Sequence, residues 1–230
     1  MSMHEGHRQR MKERFLEEGL DHFSDVQVLE ILLFYAIPRK DTNPLAHQLL
    51  DRFGALPQVL EATVEELEKI PGITRNAAIL LKLVTEVGRY YLVNRSTQNT
   101  VLETITQCGE YLKPFFFGRR NESVYLLCLD AKCKVLSCRE VGEGSVNSAN
   151  VPIRRIVEMA LASNATSVVL AHNHPSGVAV PSEEDVHTTR RVATALSTVD
   201  IRLVDHIVVA EDDFVSMVHS GCRFDDCVLL

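Results

Sequence analysis

No apolar run in the chain approaches the roughly 20 residues that span a bilayer. The opening stretch MSMHEGHRQRMKERF is charged where a signal peptide would carry an apolar core. A cytoplasmic protein with no membrane partner is therefore expected. Cysteine is sparse, six residues in 230, and no secretion signal accompanies it, so reduced thiols are expected rather than a disulfide framework. Cys133/Cys138 and Cys222/Cys227 are each separated by four residues, wider than the two-residue knuckle of a four-cysteine zinc site. An excess of positive charge is missing too: the net charge is −7, residues 1–95 carrying 12 Lys+Arg against 14 Asp+Glu and the remainder 12 against 17. Binding nucleic acid without specificity requires phosphate neutralisation, so any DNA contact would have to come from a local patch or from backbone amides. There is no internal repeat and no low-complexity segment.

What is present is a chain of two characters. The 46% hydrophobic content is that of a folded protein, and the length suffices for two small domains. Residues 1–95 show helical patterns at 26–37, 43–53, 63–70 and 76–92 and no convincing strand. They are expected to form an all-α domain, followed by a polar linker at 94–100. From 103 to 230 the pattern alternates. Strands are expected at 123–130 and 134–141, joined by a hairpin turn, and again at 166–171, 201–210 and 214–218. Between them lie a helix opened by Pro152, with Ile153, Ile156, Val157, Ala160 and Leu161 on one stripe, and a helix from about 183 to 198. Such alternation predicts a mixed α/β sheet covered on both faces, with a site in the loop after a strand's carboxyl end.

That loop holds the residues that carry chemistry. His172 and His174 are one residue apart at the end of an apolar strand, so in extended backbone both imidazoles project the same way. Asp185 follows in the first turn of the next helix, across a loop containing Pro175, Gly177 and Pro181. Two imidazoles and a carboxylate make a three-ligand zinc site with the fourth tetrahedral position open to water, the arrangement of catalytic rather than structural zinc. Hydrolysis at such a site needs a further carboxylate to move the proton. Ser182 and Asp185 also fit a helix-capping box, which is compatible with coordination. Asp205 and His206 could orient a ligand histidine, but a structural pair explains them as well. His187 is expected to face solvent.

HNHPSG at 172–177 followed by PSEED at 181–185 resembles the JAMM motif, HxHP followed by SxxD. With the arginines at 154 and 155 and LVDHIVV at 203–209, the chain is similar to the RadC family of bacterial proteins over nearly its whole length. The resemblance implies an α/β JAMM/MPN domain of the cytidine-deaminase-like class over 103–230. It implies zinc on His172, His174 and Asp185, and Ser182 as hydrogen-bond donor to a developing oxyanion. It also implies a glutamate on an earlier strand as proton shuttle. Glu122 best fits that position, with Glu140 and Glu143 as rivals. The activity implied is that of a zinc metalloprotease cutting a peptide or isopeptide bond. The alternatives are a DNA-associated repair or recombination accessory protein and a zinc-dependent nuclease. LEKIPGITRNAAILL at 67–81 resembles a helix-hairpin-helix, in which Gly72 and the amides opening the second helix would face a DNA phosphate. Thr74 stands where a second glycine often sits, so a protein-binding or purely structural hairpin is the equal alternative. Lys69, Arg75 and Lys82 are the basic residues nearby.

Overall fold

A computed structural model describes residues 3–96, 100–143, 152–211 and 213–224. The chain divides into two compact units, Met1–Gly88 and Arg89–Leu230. The first is helical: α1 (Met3–Glu18), α2 (Asp25–Ala36), α3 (Asn43–Phe53), α4 (Leu56–Glu61), α5 (Val64–Leu67), and α6 (Arg75–Ser96), within which the division falls. The four helices expected from periodicity are all there, and α1 and α4 are additional. Capping boxes start α2 (Ser24 with Gln27) and α5 (Thr63 with Glu66), supplying partners to amides that have none inside the helix. Leu29, Leu33, Leu49, Leu67 and Leu81 are fully buried in one core. α6 runs on through Asn94–Ser96, into the stretch expected as linker, where Asn94 Nδ2 donates to the Tyr90 carbonyl at 2.7 Å. No helix among the described residues is long and apolar enough to cross a membrane.

The second unit is built on a five-stranded sheet in the order β2-β1-β3-β4-β5. Its strands are β1 (Ser123–Leu129), β2 (Val135–Glu143), β3 (Ser167–Asn173), β4 (Arg202–Ala210) and β5 (Asp213–Ser216). β3 is central, antiparallel to β1 and parallel to β4, so the sheet is mixed. Alternation along the strands sends Val124, Leu126, Val168 and Leu170 to one face, where α8 (Ile153–Ala162) and α9 (Glu183–Ser197) supply Ile156, Ala160, Val192 and Leu196. Tyr125, Leu127, Val169 and Ala171 go to the other face and pack on Tyr111 of α7 (Ile105–Leu112) and on Phe115 and Phe116 of the 3-10 helix that follows it. Both faces are covered, as the alternation of strands and helices predicts. The β1–β2 turn is shaped by Asp130, whose Oδ1 accepts from the Lys132 and Lys134 amides.

One irregularity matters for the site. Val168 is level with Leu203 but Val169 with Asp205, so Val204 is an extra residue on β4. From there on, His206 shares a face with Leu170 and His172, and Asp205 points to the opposite side. The described cysteines 108, 128, 133, 138 and 222 are free thiols, and Cys227 lies outside the described residues.

α7 approaches β5 so closely that a Cβ on Gly109 would lie 2.2 Å from the Phe214 ring. Gly109→Ala is therefore expected to cost about 1–3 kcal/mol through overpacking. Chemical denaturation should show the loss, and Phe214→Leu in the same chain should restore part of it.

Candidate metal centre

His172 is the last but one residue of β3 and His174 follows the strand directly, so the pleat carries both imidazoles to the face covered by α9. There Asp185 enters from the first turn of α9. The capping box is formed: Ser182 Oγ accepts from the Asp185 amide at 3.1 Å, and the carboxylate Oδ2 accepts from the Ser182 amide at 2.8 Å and from its hydroxyl at 2.6 Å. Capping thus aims the carboxylate. The two Nε2 atoms are 2.9 Å apart, with Asp185 oxygens 3.5 Å from His172 Nε2 and 3.9 Å from His174 Nε2. Zinc–ligand bonds of about 2.0–2.1 Å put tetrahedral ligand atoms roughly 3.3 Å apart, and these three separations bracket that value. His172 and Asp185 are buried and His174 is partly open. The donor set, two nitrogens and a carboxylate oxygen, suits zinc. Among the described residues this is the one such group, so a two-metal arrangement finds no second set of ligands.

Which nitrogens hold protons follows from the hydrogen bonds. His174 Nδ1 lies 2.9 Å from the Val178 carbonyl, which can only accept, so Nδ1 carries the proton and Nε2 is a bare lone pair. For His172 the same result comes through a relay. Thr189 Oγ1 donates to the Asp185 backbone carbonyl at 2.5 Å and is also 2.5 Å from His206 Nδ1. Its one proton being engaged, it accepts from His206 Nδ1–H. His206 Nε2 is then bare and accepts from His172 Nδ1–H at 2.7 Å, which leaves His172 Nε2 free to face the other ligands. Burial keeps both rings neutral. It lowers His172 to about 4, against the opposing pull of Asp185 and with a smaller push from His174, and it holds His206 well below the usual range.

His206 therefore touches a ligand directly, whereas Asp205 faces away and accepts from the Ser216 hydroxyl and from the Val218 and His206 amides. Of the pair considered from sequence, the histidine alone reaches the centre. Thr189 had no signal in the sequence beyond its position one turn after Asp185. His187 is exposed.

The glutamates separate by face. Glu140 is level with Tyr125 and bonded to Arg119 (3.0 Å) and to the Tyr125 hydroxyl (3.3 Å), on the side of the sheet away from the histidines. Glu143 ends β2 opposite Ser123, and its side chain lies outside the described residues. Glu122 is partly buried just ahead of β1. It stands two residues before Val124, which pairs with His172 at the end of the β1–β3 ladder. Asn173, between the two histidines, brackets it. Its Oδ1 accepts from the Ser123 amide at 2.8 Å and its Nδ2 donates to the Asn121 carbonyl at 3.2 Å.

In the helical unit, the turn Ile70–Ile73 joins α5 to α6, with Gly72 at φ 94°. A Cβ on Gly72 would meet Leu45 Cδ2 at 2.8 Å, so packing on α3 already demands glycine. Arg75 is paired with Glu68 at 3.4 Å and Lys82 Nζ donates to the Glu61 carbonyl at 3.4 Å. Two of the three cations near the hairpin are thus engaged within the unit.

Residues 102–222 match the family model described as RadC-like JAB domain, and residues 4–79 match the one described as UPF0758 N-terminal. A UPF0758 protein of Stutzerimonas stutzeri is 36% identical over 93% of this chain and 95% of its own. One of Fusobacterium nucleatum is 31% identical over 94% and 97%. One of Paraburkholderia xenovorans is 33% identical over 91% and 83%.

Removing the relay is expected to weaken metal retention without touching a ligand. Thr189→Val and His206→Phe should each lower zinc affinity about 10- to 100-fold. Competition with a fluorescent chelator measures it; unchanged affinity in both would show that the relay does not set the His172 tautomer.

Proposed function

The chain belongs to the RadC-like JAB family, and from that premise we propose that His172, His174 and Asp185 hold one zinc ion and that the centre hydrolyses a peptide or isopeptide bond. The family is one of metallohydrolases, and a buried His-His-Asp group is present. The observation that carries the reading is the convergence of two bare imidazole nitrogens and a capped carboxylate at a partly open point. Zinc there would supply Lewis acidity, polarising a carbonyl and acidifying a water. The protein's own residues do the rest. Glu122, between two backbone groups that Asn173 ties down, takes the water's proton and returns it to the leaving nitrogen. Ser182 donates to the oxygen that becomes negative. Its hydroxyl can turn from Asp185 without freeing that carboxylate, because the Ser182 amide still holds Oδ2.

The DNA-associated reading draws less support. A phosphate site at the hairpin would need cations that are engaged elsewhere, and Gly72 has a packing reason. The nuclease reading would call on a second metal in its commonest form, and the described residues offer ligands for one.

Elemental analysis of the purified full chain is expected to give about one zinc per chain, lost in His172→Ala/His174→Ala. Glu122→Gln should retain zinc and lower cleavage of a peptide library, read by mass spectrometry, by about 10²- to 10⁴-fold. Zinc-free wild-type protein would sink the metal assignment. Undiminished cleavage by Glu122→Gln would instead remove only the proton-shuttle role.

A further inference from the structure

The solvent side of α9 and the start of α8 border a second, open concavity that the centre does not use, a shallow cleft of about 500 Å³ lined by Ile153, His187, Arg190, Arg191, Thr194, Ala195 and Thr198. None of these residues is a metal ligand. Ile153 and Ala195 give it an apolar floor. The hydroxyls of Thr194 and Thr198 donate to the helix's own carbonyls, at Arg190 and Ala195, so they offer no free donor to a ligand. Charge enters through the two arginines. Among the described residues neither Arg190 nor Arg191 has a carboxylate partner, whereas Arg119, Arg154 and Lys113 are paired with Glu140, Glu158 and Glu110. Two adjacent guanidiniums make the concavity locally positive in a chain of net charge −7.

We propose that this cleft is a docking site for an acidic peptide segment carrying an apolar side chain. Guanidiniums bind carboxylates with paired donors, and the floor takes the apolar residue. The size is consistent. From Arg190 to Thr198 α9 advances about 12 Å at ~1.5 Å per residue, the span of roughly four residues of extended peptide at ~3.3 Å each. Nucleic acid fits less well: His187 is the one ring in the lining on which a base could stack, and the chain's net charge of −7 repels a long polyanion. The lining, which His187 joins, lies on the solvent face of α9, opposite the buried face that carries Asp185, so a docked segment would sit apart from the metal centre. The proposal stands whether or not that centre cuts amides.

The test is fluorescence anisotropy of a labelled hexapeptide of alternating aspartate and leucine, titrated with the full chain at low salt. Saturable binding is expected, weakened about tenfold or more in Arg190→Glu/Arg191→Glu. Both positions are exposed, so the circular dichroism spectrum should be unchanged. Arg190→Gln/Arg191→Gln should weaken binding in the same direction without adding negative charge. A peptide alternating lysine and leucine should not bind. Absence of saturable binding, or binding by both double variants as tight as by the wild type, would overturn the proposal. Tighter binding of a thymidine oligonucleotide of similar length would overturn it in favour of a nucleic-acid site. Affinity should be the same with a chelator present; its loss would overturn the proposal by moving the peptide to the metal centre.

Discussion

A carbonyl oxygen can only accept a hydrogen bond, and in this protein that property of one backbone atom, at Asp185, passes through two side chains to reach His172. Thr189 must donate to it, so His206 must donate to Thr189, so His172 must donate to His206. The end of the chain is a bare nitrogen facing a carboxylate that belongs to the same residue whose carbonyl began it. Asp185 thus sets both its own contribution and the tautomer of a neighbour. Burial makes the order strict, because a misplaced proton would leave a buried donor or acceptor without a partner, at about 1–3 kcal/mol for each.

The sheet makes this closure feasible. β3 is flanked by β1 and β4, and its end is where the ligands sit, so each neighbouring strand can add one group to the same face. β1 sets Val124, two residues after Glu122, level with His172, and β4 brings His206 against His172. α9 closes the third side, with its capping box doubling as the means of aiming a ligand. The opposite face of the sheet holds the aromatic cluster of Tyr111, Phe115, Phe116 and Tyr125 and is given to packing. Both faces are packed, and the His-His-Asp group sits at the strand ends of the face covered by α8 and α9.

What could be read from sequence was whatever depends on short separations. The two histidines in alternation, and Ser182 three residues before Asp185, are local patterns whose geometry follows from strand and helix periods. The strands and most helices were legible for the same reason, and α7, a single short helix, was not among those expected. Thr189 and Asn173 escaped because their partners come from other strands, and His206 could not be told from Asp205 until the pairing of β3 with β4 chose between them. Glu140 and Glu122 were not separable either, since the β1–β2 ladder contains two register shifts and the face of a β2 residue cannot be counted from the hairpin turn. The continuation of α6 to Ser96 was hidden by polar residues that a helix tolerates once their side chains bond back to it.

Val204, the extra residue on β4, has a consequence for how the centre can vary. Asp205 and His206 stand side by side, and the bulge alone determines which of them meets His172. Regular pairing continued from Leu203 without the bulge would set Asp205 level with Leu170, presenting a carboxylate to His172 and turning the imidazole toward the aromatic layer. Loss of Val204 itself would do the opposite: it would remove the bulge and leave Asp205 level with Val169 and His206 with Leu170, as they are now. The choice between the two side chains thus rests on the backbone shape of β4 and not on its length, so this strand tolerates a deletion at the one point where it would not tolerate being straightened.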